Sequence, residues 1–443
     1  MKLTFILPAI GKKPGEKYIG TWKMEPLTVA VLKSLTPAWV ETEFFDDRVE
    51  CIDYETRTDL VVITLETYTA LRGYAIARRF RDRGIPVVFG GYHATLLPEE
   101  AACHGDAVVI GNGETVWETL LTDFAQGRLQ PLYRGAARYG EALPDRSLFA
   151  GKPYVPVALV ETGRGCCHRC EFCAISAYYC ARYVPRSPEL VGRDLERQPH
   201  RYAFLVDDNL VADPAHTRAV LDRVRGTGIR WAAQGTLSMA KDPALLKQMK
   251  ASGCELILVG FESLEPESLS QMNKSWQGAL AERDQLVRRI HDAGLGIYAT
   301  FVFGYDGDTA RTLERTLDFA RRHRFYTAAF NHLLPFPGTP LYSRLQAEGR
   351  LLYDRWWLAP EYHYGQVAFQ PRHLSPEALS QLCRDARKAF AALPTVLGRG
   401  LQAMGQTSPA LWALFWAMNL RLGTEIDEKM HVPLGRNLDE LPK

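Results

Sequence analysis

The sequence predicts an α/β chain with three parts: an N-terminal doubly wound parallel sheet, a partial (β/α)6 barrel and a mainly helical C-terminal region. Three observations carry this. Short apolar runs alternate with stretches of helical period through the first third of the chain, and again through its middle. Many of these runs end in glycine or a polar residue, as strands do when they point at a ligand. Beyond about residue 350 the alternation stops. At 443 residues the chain exceeds one ordinary core. The expected divisions are 1–135, a linker at 136–152, 153–350, and a helical region at 351–443.

In the first part, Lys2–Ile10, Val40–Asp46, Leu60–Leu65, Val87–Gly90 and Ala107–Ile110 read as strands. Helical spacing fills Leu27–Leu35, Ala70–Arg83 and Glu114–Gln126. The loops at the strand ends are small and rich in backbone donors. They include 11–15, Gly90-Gly91-Tyr92-His93 and Gly111-Asn112-Gly113-Glu114. The Pro- and Gly-bearing stretch from Pro131 to Pro156 reads as a connection.

Six further strands are expected to end at Thr162, Asp207, Gln234, Gly260, Phe303 and Asn331. Barrel enzymes place their chemistry at such ends. The polar residues there are Glu161, Asp207, Asp208, Asn209, Gln234, Glu262, Ser263, Asn331 and His332. Residues of this kind also serve as plain caps. In the last part, Ser375-Pro376-Glu377 marks a capped helix start. The aromatics Trp356, Trp357, Tyr362, Tyr364, Trp412, Phe415 and Trp416 read mainly as core, with a barrel-mouth cover as the other option.

Composition narrows the function. A net charge of +2 gives no basic excess for nucleic acid. Nine cysteines, four of them between 166 and 173, suit a reducing cytoplasm and a metal site rather than a disulfide framework. The apolar stretch Ala410–Met418 is about half of what a membrane span needs and reads as a buried helix rather than one lying on a membrane. No transmembrane segment is expected.

Cys166, Cys170 and Cys173 stand in a C-x3-C-x2-C spacing directly after the apolar run Val155–Val160. A [4Fe–4S] cube normally takes four cysteines, so three leave one iron open for chemistry. Other readings are a zinc knuckle using Cys167, His168 or Cys180, and an ordinary electron-carrying cluster. Zinc sites usually pair C-x2-C units, and no second pair exists here.

With Phe172 before the last cysteine, this motif resembles the radical S-adenosylmethionine (SAM) superfamily. The resemblance implies that the open iron chelates SAM and that an electron from the cluster cleaves it to a 5′-deoxyadenosyl radical. The first third is similar to the cobalamin-binding domain of one large subfamily, a flavodoxin-like sheet. Gly90-Gly91-Tyr92-His93, Leu97-Pro98-Glu99-Glu100 and Gly111-Asn112-Gly113-Glu114 match its patterns in order, and Leu143–Arg146 matches its linker. In the barrel, Val206–Asn209, Gly260–Ser263 and Pro335–Pro340 resemble the family's motifs. The likeness covers residues 1 to about 345.

Several roles follow from the resemblance. Cys166, Cys170 and Cys173 would ligate iron. Phe172, Asp207, Asn209, Gln234, Glu262 and Ser263 would line SAM or substrate. Gly90, Gly91, His93, Gly111, Gly113 and Glu114 would hold cobalamin, with Tyr68 and Arg72 near its lower face. The cobalt-ligating histidine of better-known cobalamin domains is absent, since the first histidine is His93. The implied function is methylation of a small-molecule carbon, with a flavodoxin or ferredoxin as reductant. Cyclisation, rearrangement, aminocarboxypropyl transfer and polar methyl transfer are alternatives on the same cofactors; a cluster or corrinoid carrier is a remote one.

Overall fold

The computed structural model describes residues 1–439, with residues 405 and 406 described by backbone alone. Residues 440–443 of the expected C-terminal region lie outside the described residues. The chain divides into two compact units, and the division is not collinear with the sequence. One comprises Met1–Pro156, Arg355–Tyr364 and the chain from His431; the other comprises Val157–Asp354 and Gly365–Met430.

The first unit is built on six parallel strands: β1 (Lys2–Leu7), β2 (Glu41–Asp46), β3 (Leu60–Thr64), β4 (Val87–Gly90), β5 (Ala107–Ile110) and β6 (Leu132–Arg134). Their order is β2-β1-β3-β4-β5-β6, which reverses direction between β1 and β3. Leu3–Ile6 and Leu60–Ile63 are unbroken buried runs, as parallel strands covered on both faces require. Leu3, Phe5, Leu60 and Val62 pack with Val29 and Leu32 of the helix Leu27–Leu35 and with Leu120 and Leu121 of the helix Trp117–Ala125.

Three details depart from the sequence reading. β6 lies inside the expected connection; it has three residues, two of them exposed, and offers no periodicity to find. The Gly90–Glu100 motifs fold as two short helices, Tyr92–Leu96 and Pro98–Ala102. The helix expected from Glu114 is a 3-10 turn at Gly113–Thr115 before the helix proper begins at Trp117.

The second unit also has six parallel strands: β7 (Ala158–Val160), β10 (Tyr202–Leu205), β11 (Arg230–Gly235), β12 (Cys254–Glu262), β13 (Gly296–Phe303) and β14 (Thr327–His332). They neighbour one another in chain order. Between β7 and β10 sits an antiparallel hairpin, β8 (Gly163–Gly165) with β9 (Tyr183–Pro185), which the sequence reading missed. Helices return the chain between strands, several with a proline at the first helical position and a side-chain cap. Asp213 accepts from the amides of Ala215 and His216, and Asp242 from that of Leu245. The expected start at Ser375 is present, its hydroxyl accepting from the Ala378 amide at the head of Pro376–Phe390.

The C-terminal region is not one helical body. Arg355–Tyr364 and His431 onward belong to the first unit, where a two-stranded ladder joins β15 (His363–Tyr364) to β16 (Val432–Pro433). Trp356 and Trp357 are buried and belong to that unit. Ala410–Met418 lies in the helix Pro409–Lys429, and only part of it is buried: Leu411 and Phe415 face inward, while Ala410, Ala413, Leu414, Ala417 and Met418 are exposed. No described helix is long and apolar enough to cross a membrane.

Candidate functional site

The three cysteines follow β8 at the carboxyl end of β7, and Cys173 opens the helix Ala174–Tyr179. Cys170 is buried; Cys166 and Cys173 are half-buried. Burial pushes the Cys170 thiol up to about 12, against the pull of Lys274, and raises that of Cys166 as well. Thiols kept protonated by burial become ligands when a metal displaces the proton. The Cys166 sulfur also accepts from the Asn209 amide at 3.6 Å.

The loop is clamped from several sides. Asp208 accepts from the Gly165 amide at 2.7 Å, and Asp207 from the amide and hydroxyl of Thr162. Glu171 is gripped by both arms of Arg344, at 2.7 and 3.2 Å. Asn273 donates to the Arg169 carbonyl at 3.2 Å. Burial lifts Asp207 to about 7 and Asp208 to about 6, with the hydrogen bonds opposing it.

Beside the loop lies a pair that the sequence reading missed in part. Lys274 donates to Glu262 at 2.6 Å, with each side chain about 9% exposed. Burial opposes the lysine's charge, yet Glu262 and the Cys170 thiol outweigh it, and its pKa sits above the ordinary value. The ammonium is 5.7 Å from the centre of the Phe172 ring. Glu262 is re-aimed by a register shift against β13 and by its own φ of 60°. A Cβ on Gly260 would stand 2.3 Å from the Glu262 carboxylate, so a larger residue there would push that side chain aside.

Three buried polar atoms around this place have no hydrogen-bond partner among the described residues: Asn209 Oδ1, Trp276 Nε1 and Gln277 Oε1. Buried groups of this kind are rare without a ligand or water to meet them. The other expected residues have work within the chain. The Gln234 amide donates to the Asp208 carbonyl, and the Ser263 hydroxyl accepts from the Glu265 amide. Glu161 pairs with Arg164, and Asn331 accepts from Arg387. His332 is pushed down to about 4, mainly by burial.

Cys166, Cys167 and His168 form a tighter group, their ligand atoms all within 4.8 Å of one another. These are successive residues, Cys167 is exposed, and the His168 ring stacks on Trp276 at 3.9 Å. A cube spreads its thiolates over separate irons, so its ligands stand farther apart than those of a single ion. Cys170 and Cys173 stand outside that tight group.

In the first unit the expected residues divide. A Cβ on Gly91 (φ 96°) would meet the Leu65 carbonyl at 2.6 Å, and one on Gly111 (φ 79°) the Gly135 carbonyl at 2.6 Å. These glycines are required by the chain's own backbone. His93 is fully buried, bonded to Glu100 at 3.0 Å and Tyr74 at 3.1 Å. Arg72 is buried, with two bonds of 2.9 Å to Asp47 and one to Asp439. Tyr68 is half-buried, 5.0 Å from the Trp356 ring and 5.1 Å from Tyr364, which in turn lies 5.1 Å from Trp22. Gly90, Gly113 and Glu114 remain at the carboxyl ends of β4 and β5.

Residues 160–320 match the radical SAM superfamily model. The chain is 29% identical over 396 residues to the bacteriochlorophyllide d C-12(1)-methyltransferase of Chlorobaculum tepidum, covering 85% of each. It is 28% identical to the C-8(2)-methyltransferase of that organism, over 74% of this chain and 78% of the relative. Among solved structures, the radical SAM methyltransferase TsrM from Kitasatospora setae, with cobalamin and a [4Fe–4S] cluster bound, superposes with a TM-score of 0.64. That match has 18% identity and covers 92% of this chain and 89% of the other.

Proposed function

We propose that this chain, a radical SAM enzyme, methylates a carbon of a small molecule with the help of cobalamin. The observation that carries the reading is a clamped loop of three thiols set beside a buried Lys274–Glu262 pair and three orphaned polar atoms. A cluster, SAM and cobalamin, when bound, supply radical hydrogen abstraction and a transferable methyl group.

The second sheet serves as the partial (β/α)6 barrel. Cys166, Cys170 and Cys173 hold three irons, and Asp207 and Asp208 fix the loop that carries them. SAM's amino-acid tail bears one charge of each sign. Lys274 suits its carboxylate and Glu262 its ammonium, so neither protein charge is left buried alone. Asn209, Trp276 and Gln277 offer their unmet atoms to the remaining polar groups. Phe172 closes the apolar side, while Gln234 and Ser263 shape the strand ends.

The first sheet serves as the cobalamin domain. Ligands of such sheets sit at the carboxyl edge where strand order reverses. Here that point lies between β1 and β3; the half-buried rings of Trp22 and Tyr68 follow those strands, Tyr364 packs against both, and the three offer flat apolar faces to a corrin. Gly90, Gly113 and Glu114 line the same edge. The likeness to two bacteriochlorophyllide methyltransferases favours a large, mostly apolar ring system as substrate. A reducing cytoplasm and a flavodoxin or ferredoxin electron donor complete the proposal.

The test is anaerobic reconstitution with iron, sulfide and cobalamin, followed by product analysis. Radical methylation releases both S-adenosylhomocysteine and 5′-deoxyadenosine. S-adenosylhomocysteine alone would mean polar transfer, and 5′-deoxyadenosine alone would mean cyclisation or rearrangement. Bound zinc, or a cluster whose spectrum ignores added SAM, would overturn the reading.

A further inference from the structure

The helices Leu393–Gln406 and Pro409–Lys429 form a hairpin on the second unit. Its inner side is ordinary: Val396, Ala403, Leu411 and Phe415 pack with Tyr326. Its outer side is not. From residue 392 to 420, every exposed residue whose side chain is described is alanine, leucine, methionine or proline. The only charge in that span is Arg399, which is 2% exposed and donates through its two terminal nitrogens to the Phe390 and Tyr326 carbonyls and Asn419. Of the ten large hydrophobic residues exposed among the described residues, seven lie here. Leu393, Leu397, Leu401 and Met404 share one helical face, with Leu401 69% and Met404 60% exposed. Water rarely meets so continuous an apolar surface unless it has a covering.

A second feature adjoins the first. Gln402, on the same hairpin, lines a cavity of about 380 Å³ with Arg288, Arg322, Arg324, His291 and His323. All three arginines are exposed. The single acid in the cavity, Asp284, is held by His323 at 2.5 Å and lies 3.7 Å from Arg322. Burial and the neighbouring His323 push His291 down to about 4, so it adds no charge at neutral pH. The cavity is therefore cationic on balance. Arg421, also exposed, follows directly on the apolar face at Leu420.

We propose that this face docks on an anionic lipid bilayer, with the hairpin's outer side among the acyl chains and the arginines at the headgroups. A protein partner would be matched by hydrogen bonds at roughly one per 100–200 Å², and none of the fully exposed side chains described on this face can make one. Half-buried Trp412 and Trp416 are residues that favour the lipid–water boundary. Apolar insertion together with a cationic patch is the pair of signals that holds a peripheral protein on a membrane. The hairpin is too short and too interrupted to span one, so the contact is with a single leaflet.

Vesicle flotation of the intact, cluster-loaded chain tests this, using phosphatidylcholine alone and phosphatidylcholine mixed with phosphatidylglycerol. The chain should float with the mixed vesicles. Leu401→Asp with Met418→Asp should abolish flotation, while iron content and far-UV circular dichroism stay unchanged. Arg322→Glu with Arg324→Glu should weaken binding to the mixed vesicles by about 25-fold or more, taking about fivefold per arginine neutralised, and leave phosphatidylcholine binding as it was. Failure to float with either vesicle overturns the proposal, as does flotation indifferent to all four substitutions. A concentration-dependent dimer in sedimentation, lost in the double aspartate variant, would give the face to a second copy and overturn it too.

Discussion

The cysteine loop of the second unit and the glycine-rich strand ends of the first both look, in sequence, like cofactor sites. Their surroundings differ. Around the loop, buried polar atoms of Asn209, Trp276 and Gln277 lack partners, and a buried ion pair stands beside the thiols. At the first unit's strand ends, Gly91, Gly111, His93 and Arg72 are already committed to neighbouring backbone, Glu100 and Asp47. A motif glycine reports that something comes close, and that something can be the chain itself. A thiol trio in a clamped loop has no such internal use.

The largest expected effect follows from that contrast. Cys170→Ala should abolish 5′-deoxyadenosine formation and lower the iron count after anaerobic reconstitution, because the two thiols left in the motif cannot hold three irons. Gly111→Ala should leave iron loading untouched and lower thermal stability even without cobalamin. If its only effect is on cobalamin affinity, the contrast between the two regions fails.

Next in size is the buried pair. Lys274→Met leaves the Glu262 carboxylate unpaired away from water, a loss of about 3–5 kcal/mol in stability. Denaturant titration measures it. Glu262→Gln with Lys274→Met should regain most of that loss while SAM binding stays weak, which separates folding from ligand recognition. Gly260→Ala is milder, at about 1–3 kcal/mol, since its new Cβ displaces the carboxylate rather than stranding it.

What the sequence disclosed follows from how each feature is encoded. Strands β3, β4 and β5 and the three cysteines are local patterns of period or spacing, and they read directly. Lys274 is twelve residues from its partner, on a loop of no recognisable motif, and no spacing rule joins a strand-end acid to a later lysine. The Glu171–Arg344 clamp spans 173 positions and is likewise invisible. The run Ala410–Met418 misled for a different reason. Apolar content predicts burial only where another surface covers it, and the covering is not written in the run itself.

The smallest expected effects, those of pH, set the two regions apart by sign. In the first unit, burial works to raise Glu100, but hydrogen bonds from His93 and Trp357 prevail and hold it below the ordinary value. A group depressed in the folded state contributes stability that is present above its unfolded pKa and lost as pH falls through the folded one. In the second unit, burial holds Asp207 at about 7 and Asp208 at about 6, against an ordinary 3.8. Here the folded chain keeps protons that the unfolded chain releases. Stability is therefore full below about pH 4 for these two groups and declines as pH rises toward 7. Glu100→Gln should flatten the acid limb of a stability–pH curve, and Asp207→Asn the limb between pH 4 and 7, where its amide can still accept from Thr162. If both substitutions altered the same limb, the two carboxyl environments would not differ as their burial and partners require.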